Sequence, residues 1–449
     1  MDIPDAYFKT AESALQWAQS MGATMAEIYF GNGKQLSIEV RNGEVETMKL
    51  AEEKGLGVRV IVDEKMGFAF TTETGNDQLM NTVEKALENA AQSDRDKFYN
   101  LPSAVSGYKE FDLFDTNIGR ASVEEKIAMA RQMEKAAQSY DERVKIIESS
   151  TYQDAEEEVT VINNLGVAAT TRTAYCGLYI SLVASEGDEN QTGFAVDYTL
   201  KYDSLKPTAI GEEAAERAVR MLHARTVPSG KMPVILEPYI ATSFLGVIAP
   251  ALSAEAVQKG RSLFRGKIDQ KVASGLVRII DDGAKSDGIA TSPFDGEGVP
   301  TSRTVLIEDG VLKGYLYDTY TAAKDGVKST GNGMRGSFKG VPGVSSTNFF
   351  IDTGKTEAGE LIKGIERGLY ITEVLGMHTA NSISGDFSLG ASGILIENGK
   401  LSYPVRSIAI AGNIAEMLKN IDGVGDDLRF YGSRGAPTLR VSEMAISGG

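Results

Sequence analysis

The sequence predicts an α+β protein in two parts: an N-terminal domain, residues 1–225, built from duplicated helix/antiparallel-strand/helix units, and a Gly-rich, mainly antiparallel β C-terminal domain, residues 226–449. Three observations predict it. Residues 8–92 and 122–224 run in parallel, down to a Gly-Phe-Ala triplet in each copy, Gly67-Phe68-Ala69 and Gly193-Phe194-Ala195. Glycine is sparse up to residue 225, with 15, and dense after it, with 33 of the 48, so two architectures are implied. At 449 residues the chain also exceeds what one hydrophobic core usually serves.

Each copy opens with apolar residues at helical spacing, over 11–21 and 123–140. Strands are predicted at 26–30, 35–40 and 44–50, with Asn42-Gly43 as a tight hairpin turn. In the second copy they are predicted at 144–149 and 157–162, with Asn163-Asn164-Leu165-Gly166 as the turn. An Ala- and Glu-rich helix closes each copy, 78–92 and 207–224, with 93–121 as connector. An antiparallel sheet needs cover on its apolar face alone, which the flanking helices supply. The second domain opens with a strand, 232–236, and an apolar helix, 239–252, in which Pro250 ends or kinks the ladder. Hairpin signals recur at Asp281-Asp282-Gly283, Glu308-Asp309-Gly310 and Glu397-Asn398-Gly399; 304–317 and 393–405 both read as strand, acidic turn, strand.

Composition narrows the function. The 46 basic against 62 acidic residues give a formal charge of −16, and the basic-rich stretches at 259–265 and 335–339 are thin and Gly-broken, so no nucleic-acid partner is expected. No segment holds the roughly 20 apolar residues of a membrane span; the best, 235–252, contains Glu237, Pro238 and Pro250. The first ten residues resemble neither a signal nor a transit peptide, and Cys176 is the only cysteine, which fits a reducing cytoplasm. Cys176, His223 and His378 are the only Cys and His residues, far apart, where zinc sites draw mainly on Cys and His in close pairs; no metal site is expected in this chain.

The local motifs are mostly weak. Gly331-Asn332-Gly333-Met334-Arg335-Gly336 spells a dinucleotide fingerprint, yet a helical stretch, 318–328, precedes it and no helix can follow through 337–344, so a flexible or peptide-contacting loop is expected. Gly354-Lys355-Thr356 lacks the upstream glycine of a phosphate loop, Phe349 standing there; Thr356 is expected to cap a helix over 358–367. Asp295 and Glu297 offer paired carboxylates that could act as acid and base if burial separated them, against the simpler expectation of an exposed acidic loop. His223 is expected on a helix, and His378 in a Gly- and Ser-rich loop where a functional role is more natural.

Several segments together resemble the TldD/PmbA family (peptidase family U62, also described as modulators of DNA gyrase). They are Ala290-Thr291-Ser292-Pro293-Phe294-Asp295-Gly296-Glu297-Gly298, Lys328-Ser329-Thr330-Gly331-Asn332-Gly333, Ser384-Gly385-Asp386-Phe387-Ser388, Glu397-Asn398-Gly399-Lys400-Leu401-Ser402-Tyr403-Pro404-Val405, Ile410-Ala411-Gly412-Asn413 and Pro437-Thr438-Leu439-Arg440-Val441. The resemblance covers essentially the whole chain. It implies a two-subunit peptidase in which a TldD subunit carries zinc on an H-E-x-x-x-H helix plus a later cysteine, while a TldE/PmbA-type subunit closes the cavity. Aligned through Gln258-Lys259-Gly260-Arg261-Ser262, the motif positions hold Leu245, Gly246 and Pro250, and the cysteine position near Tyr431-Gly432-Ser433 has no thiol. The resemblance therefore implies the TldE/PmbA type: no cofactor of its own, a TldD-like partner, and unfolded peptides as substrate. Phe294, Asp295, Glu297, Asn332, Arg335 and His378 are the candidate substrate contacts. The alternative is a non-catalytic, peptide- or protein-binding homodimer of the gyrase-modulator kind.

Overall fold

The computed structural model describes residues 5–73, 75–105 and 107–448. β1 (Met25–Arg41) and β2 (Glu44–Val62) form a long hairpin whose turn, Asn42-Gly43, has φ of 52° and 75°. Positive φ at both central positions is what a two-residue type I′ turn requires, and Asn-Gly meets it at least cost. β3 (Lys65–Thr71) folds back on β2; α1 (Asp5–Ser20) and α2 (Asn76–Gln92) cover one face. After a connector carrying α3 (Thr116–Arg120), the pattern repeats as α4 (Val123–Tyr140), β4 (Val144–Asn163), β5 (Ala168–Glu186), β6 (Glu189–Thr199) and α5 (Pro207–Val219). The six strands make one sheet, β3-β2-β1-β4-β5-β6, so the copies meet at the antiparallel β1–β4 pair and are related by a local two-fold.

The repeated triplet has a packing cause. A Cβ at Gly67 would collide with the carbonyl of Ala86 on α2, and one at Gly193 with the carbonyl of Ala214 on α5, so each copy uses its glycine to bring a helix onto a strand. The predicted strands prove too short. Stretches 26–30 and 35–40 are one strand, 44–50 continues to Val62, and 144–149 joins 157–162 through Ser150 to Glu156, which pair with β1 on one side and β5 on the other. β5 was missed. The helix predicted over 207–224 stops at Val219, and His223 lies past it with φ of 64°.

The second half contains β7 (Gly230–Leu236), α6 (Pro238–Ala251), α7 (Ala254–Gln258), β8 (Ile279–Asp282), β9 (Arg303–Glu308), β10 (Val311–Leu312), α8 (Thr319–Asp325), β11 (Gly333–Met334), β12 (Gly343–Val344) and β13 (Phe349–Ile351). It continues through α9 (Glu360–Lys363), β14 (Arg367–Leu375), β15 (Asp386–Glu397), β16 (Lys400–Asn413), α10 (Ile414–Lys419), β17 (Ile421–Val424), β18 (Arg429–Tyr431), β19 (Arg434–Ala436) and β20 (Leu439–Ser447). Two six-stranded sheets result, β16-β15-β14-β7-β20-β17 and β10-β9-β8-β13-β19-β18. α6 packs between them, its Phe244, Leu245 and Ile248 sharing one core with both. The sheets are mainly antiparallel, with parallel pairs only at β7–β14 and β13–β19 among the described residues.

The turns at Asp309-Gly310 and Asn398-Gly399 are hairpins with both φ positive, as predicted. Asp281-Asp282-Gly283 is not one: the two aspartates end β8, and the chain makes a twenty-residue excursion, 283–302, before returning as β9. The helix expected over 358–367 shrinks to α9, which starts after Gly359, so Thr356 caps nothing.

Candidate functional site

The excursion between β8 and β9 carries Phe294, Asp295 and Glu297 onto the N-terminal sheet, and the loop around Asn332 to Arg335 follows it there. Glu297 is 1% exposed; its Oε1 accepts from Arg59 Nη1 at 3.1 Å and Nη2 at 3.0 Å, and its Oε2 from the Thr319 amide at 2.8 Å. Arg59 Nη2 also donates to Glu27 Oε2 at 2.9 Å. Glu27 in turn holds Arg335, which donates from Nε to the Gly296 carbonyl at 2.7 Å and from Nη1 to that of Gly340 at 3.0 Å, with its guanidinium over the Tyr29 ring. Two glutamates and two arginines thus form one buried chain of charges linking β1 and β2 to the second half. A buried charge survives only when paired and hydrogen-bonded, and each of these is. Burial opposes Arg59's charge, but the two carboxylates outweigh it and raise its pKa; for Arg335 burial prevails and lowers it.

Asp295 is 2% exposed and accepts three backbone amides, those of Glu297 at 2.9 Å, Val299 at 3.0 Å and Gly333 at 2.8 Å. Burial, and after it the neighbouring Glu297 carboxylate, push its pKa well above the usual carboxylate range, with the amides opposing. The exposed acidic loop expected from the sequence is therefore corrected: both carboxylates are inside, because backbone amides and Arg59 replace water around them. Asn332, also buried, donates to Asp281 Oδ2 at 2.7 Å and the Ser345 carbonyl at 2.9 Å. Asp281, pushed up to about 6 by burial, also accepts from the Thr347 amide and hydroxyl. The stretch with the fingerprint glycines contains β11, paired with β12; Gly331 and Gly333 are buried, while Gly336 is exposed. Phe294 packs against Tyr108 at 5.1 Å between ring centroids, and the Tyr108 hydroxyl donates to the Gly298 carbonyl.

Five of the six predicted contacts are thus brought together, their side chains turned into the fold, and four of them also reach cavity walls. Phe294, Asp295 and Arg335 line a cavity of about 150 Å³, and Glu297 lines one of about 330 Å³ with Arg59, Asp318 and Tyr320. His378 stands apart on an exposed turn between β14 and β15. His223 pairs with Glu186 at 3.1 Å on the surface, and burial pushes the Cys176 thiol up to about 12, leaving it inert. Sequence reasoning missed Glu27 and Arg59. The signal was there: a lone charge inside Ala26-Glu27-Ile28 and inside Val58-Arg59-Val60, each in a run that is otherwise apolar, Met25 to Phe30 and Leu56 to Val62.

α6 presents the helix on which the resemblance places the metal motif in TldD subunits. Leu245 is fully buried in the core, Gly246 has no side chain, and the Arg434 guanidinium would sit 3.1 Å from a Cβ there. Pro250 lines a cavity of about 400 Å³ with Lys259, Arg261 and Arg434. Among the described residues no three His, Cys, Asp or Glu side chains are grouped to hold a metal ion. A site edged by guanidinium groups, with Glu255 as its one carboxylate and no imidazole or thiolate, does not fit zinc.

Three family models span most of the chain: PmbA/TldA metallopeptidase domain 1 over residues 26–90, the central domain over 117–222 and the C-terminal domain over 229–448. The chain belongs to the PmbA/TldD family. The first two models fall on the two copies of the duplicated unit. Metalloprotease PmbA of Escherichia coli O157:H7 is 28% identical over 94% of this chain and 92% of its own, and a metalloprotease TldD homolog of Haemophilus influenzae is 27% identical over 94% and 92%. A Thermotoga maritima crystal structure, described as a candidate modulator of a DNA gyrase, superposes with a TM-score of 0.92 at 30% identity, over 98% of this chain and all of that one. TldE from Thermococcus kodakarensis shares the fold, with a TM-score of 0.90 at 24% identity over 98% of this chain and all of that one. No helix among the described residues is long and apolar enough to cross a membrane.

Proposed function

We propose that this chain is the TldE/PmbA-type subunit of a TldD/TldE-type metallopeptidase that processes unfolded peptides, the zinc being held by a TldD-like partner. The observation that carries the reading is α6: Leu245, Gly246 and Pro250 stand where the resemblance puts the metal motif, and Arg434 fills the space in front of Gly246. Hydrolysis of a peptide at neutral pH by a metallopeptidase needs a Lewis acid and a base for the attacking water, and α6 supplies neither. This chain's part is then to build walls. The buried Glu27, Arg59, Glu297 and Arg335 chain locks the second half's loops against the N-terminal sheet and fixes the cavities between them. The test is to mix the purified chain with a TldD-like protein from the same genome and follow mass and cleavage of an unfolded peptide. Co-elution with cleavage by the pair alone supports the subunit role; two proteins that stay apart, with cleavage unchanged by this chain, would refute it.

The second reading, a non-catalytic binding homodimer, draws on the gyrase-modulator description of the Thermotoga protein. It gains if the chain is a stable dimer that binds peptides or a protein partner and adds nothing to a TldD-like enzyme. A charge of −16 makes direct DNA contact unfavourable in either case.

A further inference from the structure

The face of the N-terminal sheet turned away from its helices holds a cavity of about 550 Å³, which meets the ionic network at Tyr29, whose ring lies against the Arg335 guanidinium. Its floor is one row of paired residues: Glu53 on β2 faces Gly33 on β1, which faces Glu157 on β4. Directly paired residues project to the same side, and strands lie just under 5 Å apart, so the two glutamates flank the glycine on backbones about 10 Å from each other. Gly33 leaves the space between them open, for a Cβ there would meet nothing closer than 3.9 Å.

The surroundings are those of a cation site. Tyr29 and Tyr175 line the same cavity. Tyr29 is 5% exposed and lines the cavity, so what it shows of itself is available to a molecule held there. Glu157 has no ion-pair partner among the described residues; solvent reaches it, yet enough protein crowds the trough around it that desolvation raises its pKa. Glu53 already accepts one cation, Lys339 from the second half. Carboxylates and aromatic rings together are what a guanidinium or ammonium group seeks.

We propose that this trough, with Glu157 and Tyr29 at its centre, is a subsite for an arginine or lysine side chain of an extended peptide. Its physiological meaning rests on the peptide-processing reading, but its existence does not. The experiment uses the full chain alone and short fluorescent Gly/Ser peptides with one central arginine, citrulline or glutamate, followed by anisotropy at low and high salt. The arginine peptide should bind about tenfold tighter than the citrulline peptide, the range of one charge-assisted contact, and salt should erode the difference. Glu157→Gln should abolish most of that preference and Tyr29→Phe part of it, with melting curves like the parent's. Equal binding of arginine and citrulline peptides would overturn the proposal, as would a Glu157→Gln chain that still discriminates. A preference lost because the chain dimerises through this face, seen by sedimentation, would also overturn it, a second copy being the occupant. Since no hydrolysis is read, a TldD-like pair that fails to cleave counts against the subunit role and leaves this site standing.

Discussion

The two copies of the N-terminal unit share a fold yet dock on the second half differently. The first uses Glu27 and Arg59, side chains 1% and 6% exposed, against Glu297 and Arg335, each 1% exposed. The second uses Glu213, Arg217 and Arg220 against Glu237 and Arg429; Glu237 and Arg217 are 5% and 12% exposed, but the outer pair is wetter, with Arg429 39% exposed and Glu213 25%. Removing one member of a buried network strands the others in a medium that cannot solvate them, whereas water replaces a lost partner at a half-exposed pair. The first docking is therefore a clamp throughout, whereas the second has an outer pair, Arg429 and Glu213, that tolerates change. The clamp is also where the candidate residues of the second half converge.

The hardest blow to this contrast is Arg59→Met, which leaves Glu27 and Glu297 without their shared partner. It should cost about 3–5 kcal/mol in denaturant unfolding; a loss below about 1 kcal/mol would mean that the clamp does not hold.

The buried side should also titrate. Asp281, which anchors Asn332 beneath the clamp, has a folded pKa of about 6 against about 3.9 for an unfolded aspartate. Between those values the folded chain keeps a proton that the unfolded chain has lost, so this group's contribution to stability falls as pH rises from about 4 to about 6. Asp281→Asn should flatten that part of the stability curve, measured by denaturant unfolding at stepped pH; an unchanged slope would sink the assignment.

Where the copies are equivalent they should respond alike. Gly67→Ala and Gly193→Ala each push a methyl into a helix backbone and should each cost about 1–3 kcal/mol. A large effect in one copy and none in the other would break the repeat as an energetic unit. The smallest effect is expected at the wet docking: Arg429→Ala, which removes a bidentate pair with Glu213 at 2.8 Å, should cost about 1 kcal/mol or less in the same assay.

Part of this was legible in the sequence. The Gly-Phe-Ala triplets announced the duplication because a helix must cross the same strand at the same place twice, and Asn42-Gly43 and Asn398-Gly399 announced hairpins because few dipeptides adopt positive φ twice. The middle of β4 stayed hidden, since Ser150 to Glu156 is too polar to read as a strand until β1 and β5 are seen to pair with it. Asp295, Glu297, Asn332 and Arg335 were visible as a Gly-rich, charged pair of loops. Their burial was not, because Arg59 lies 238 residues from Glu297 and no local pattern connects them.

The proposed role as a subunit that leaves the zinc to its partner requires this chain to hold no metal of its own, and elemental analysis of the purified chain after zinc loading and gel filtration tests that most directly. Far less than one zinc per chain, with no peptide cleavage by the chain alone, is the expected result. One tightly held zinc per chain, with cleavage that a chelator abolishes, would contradict it.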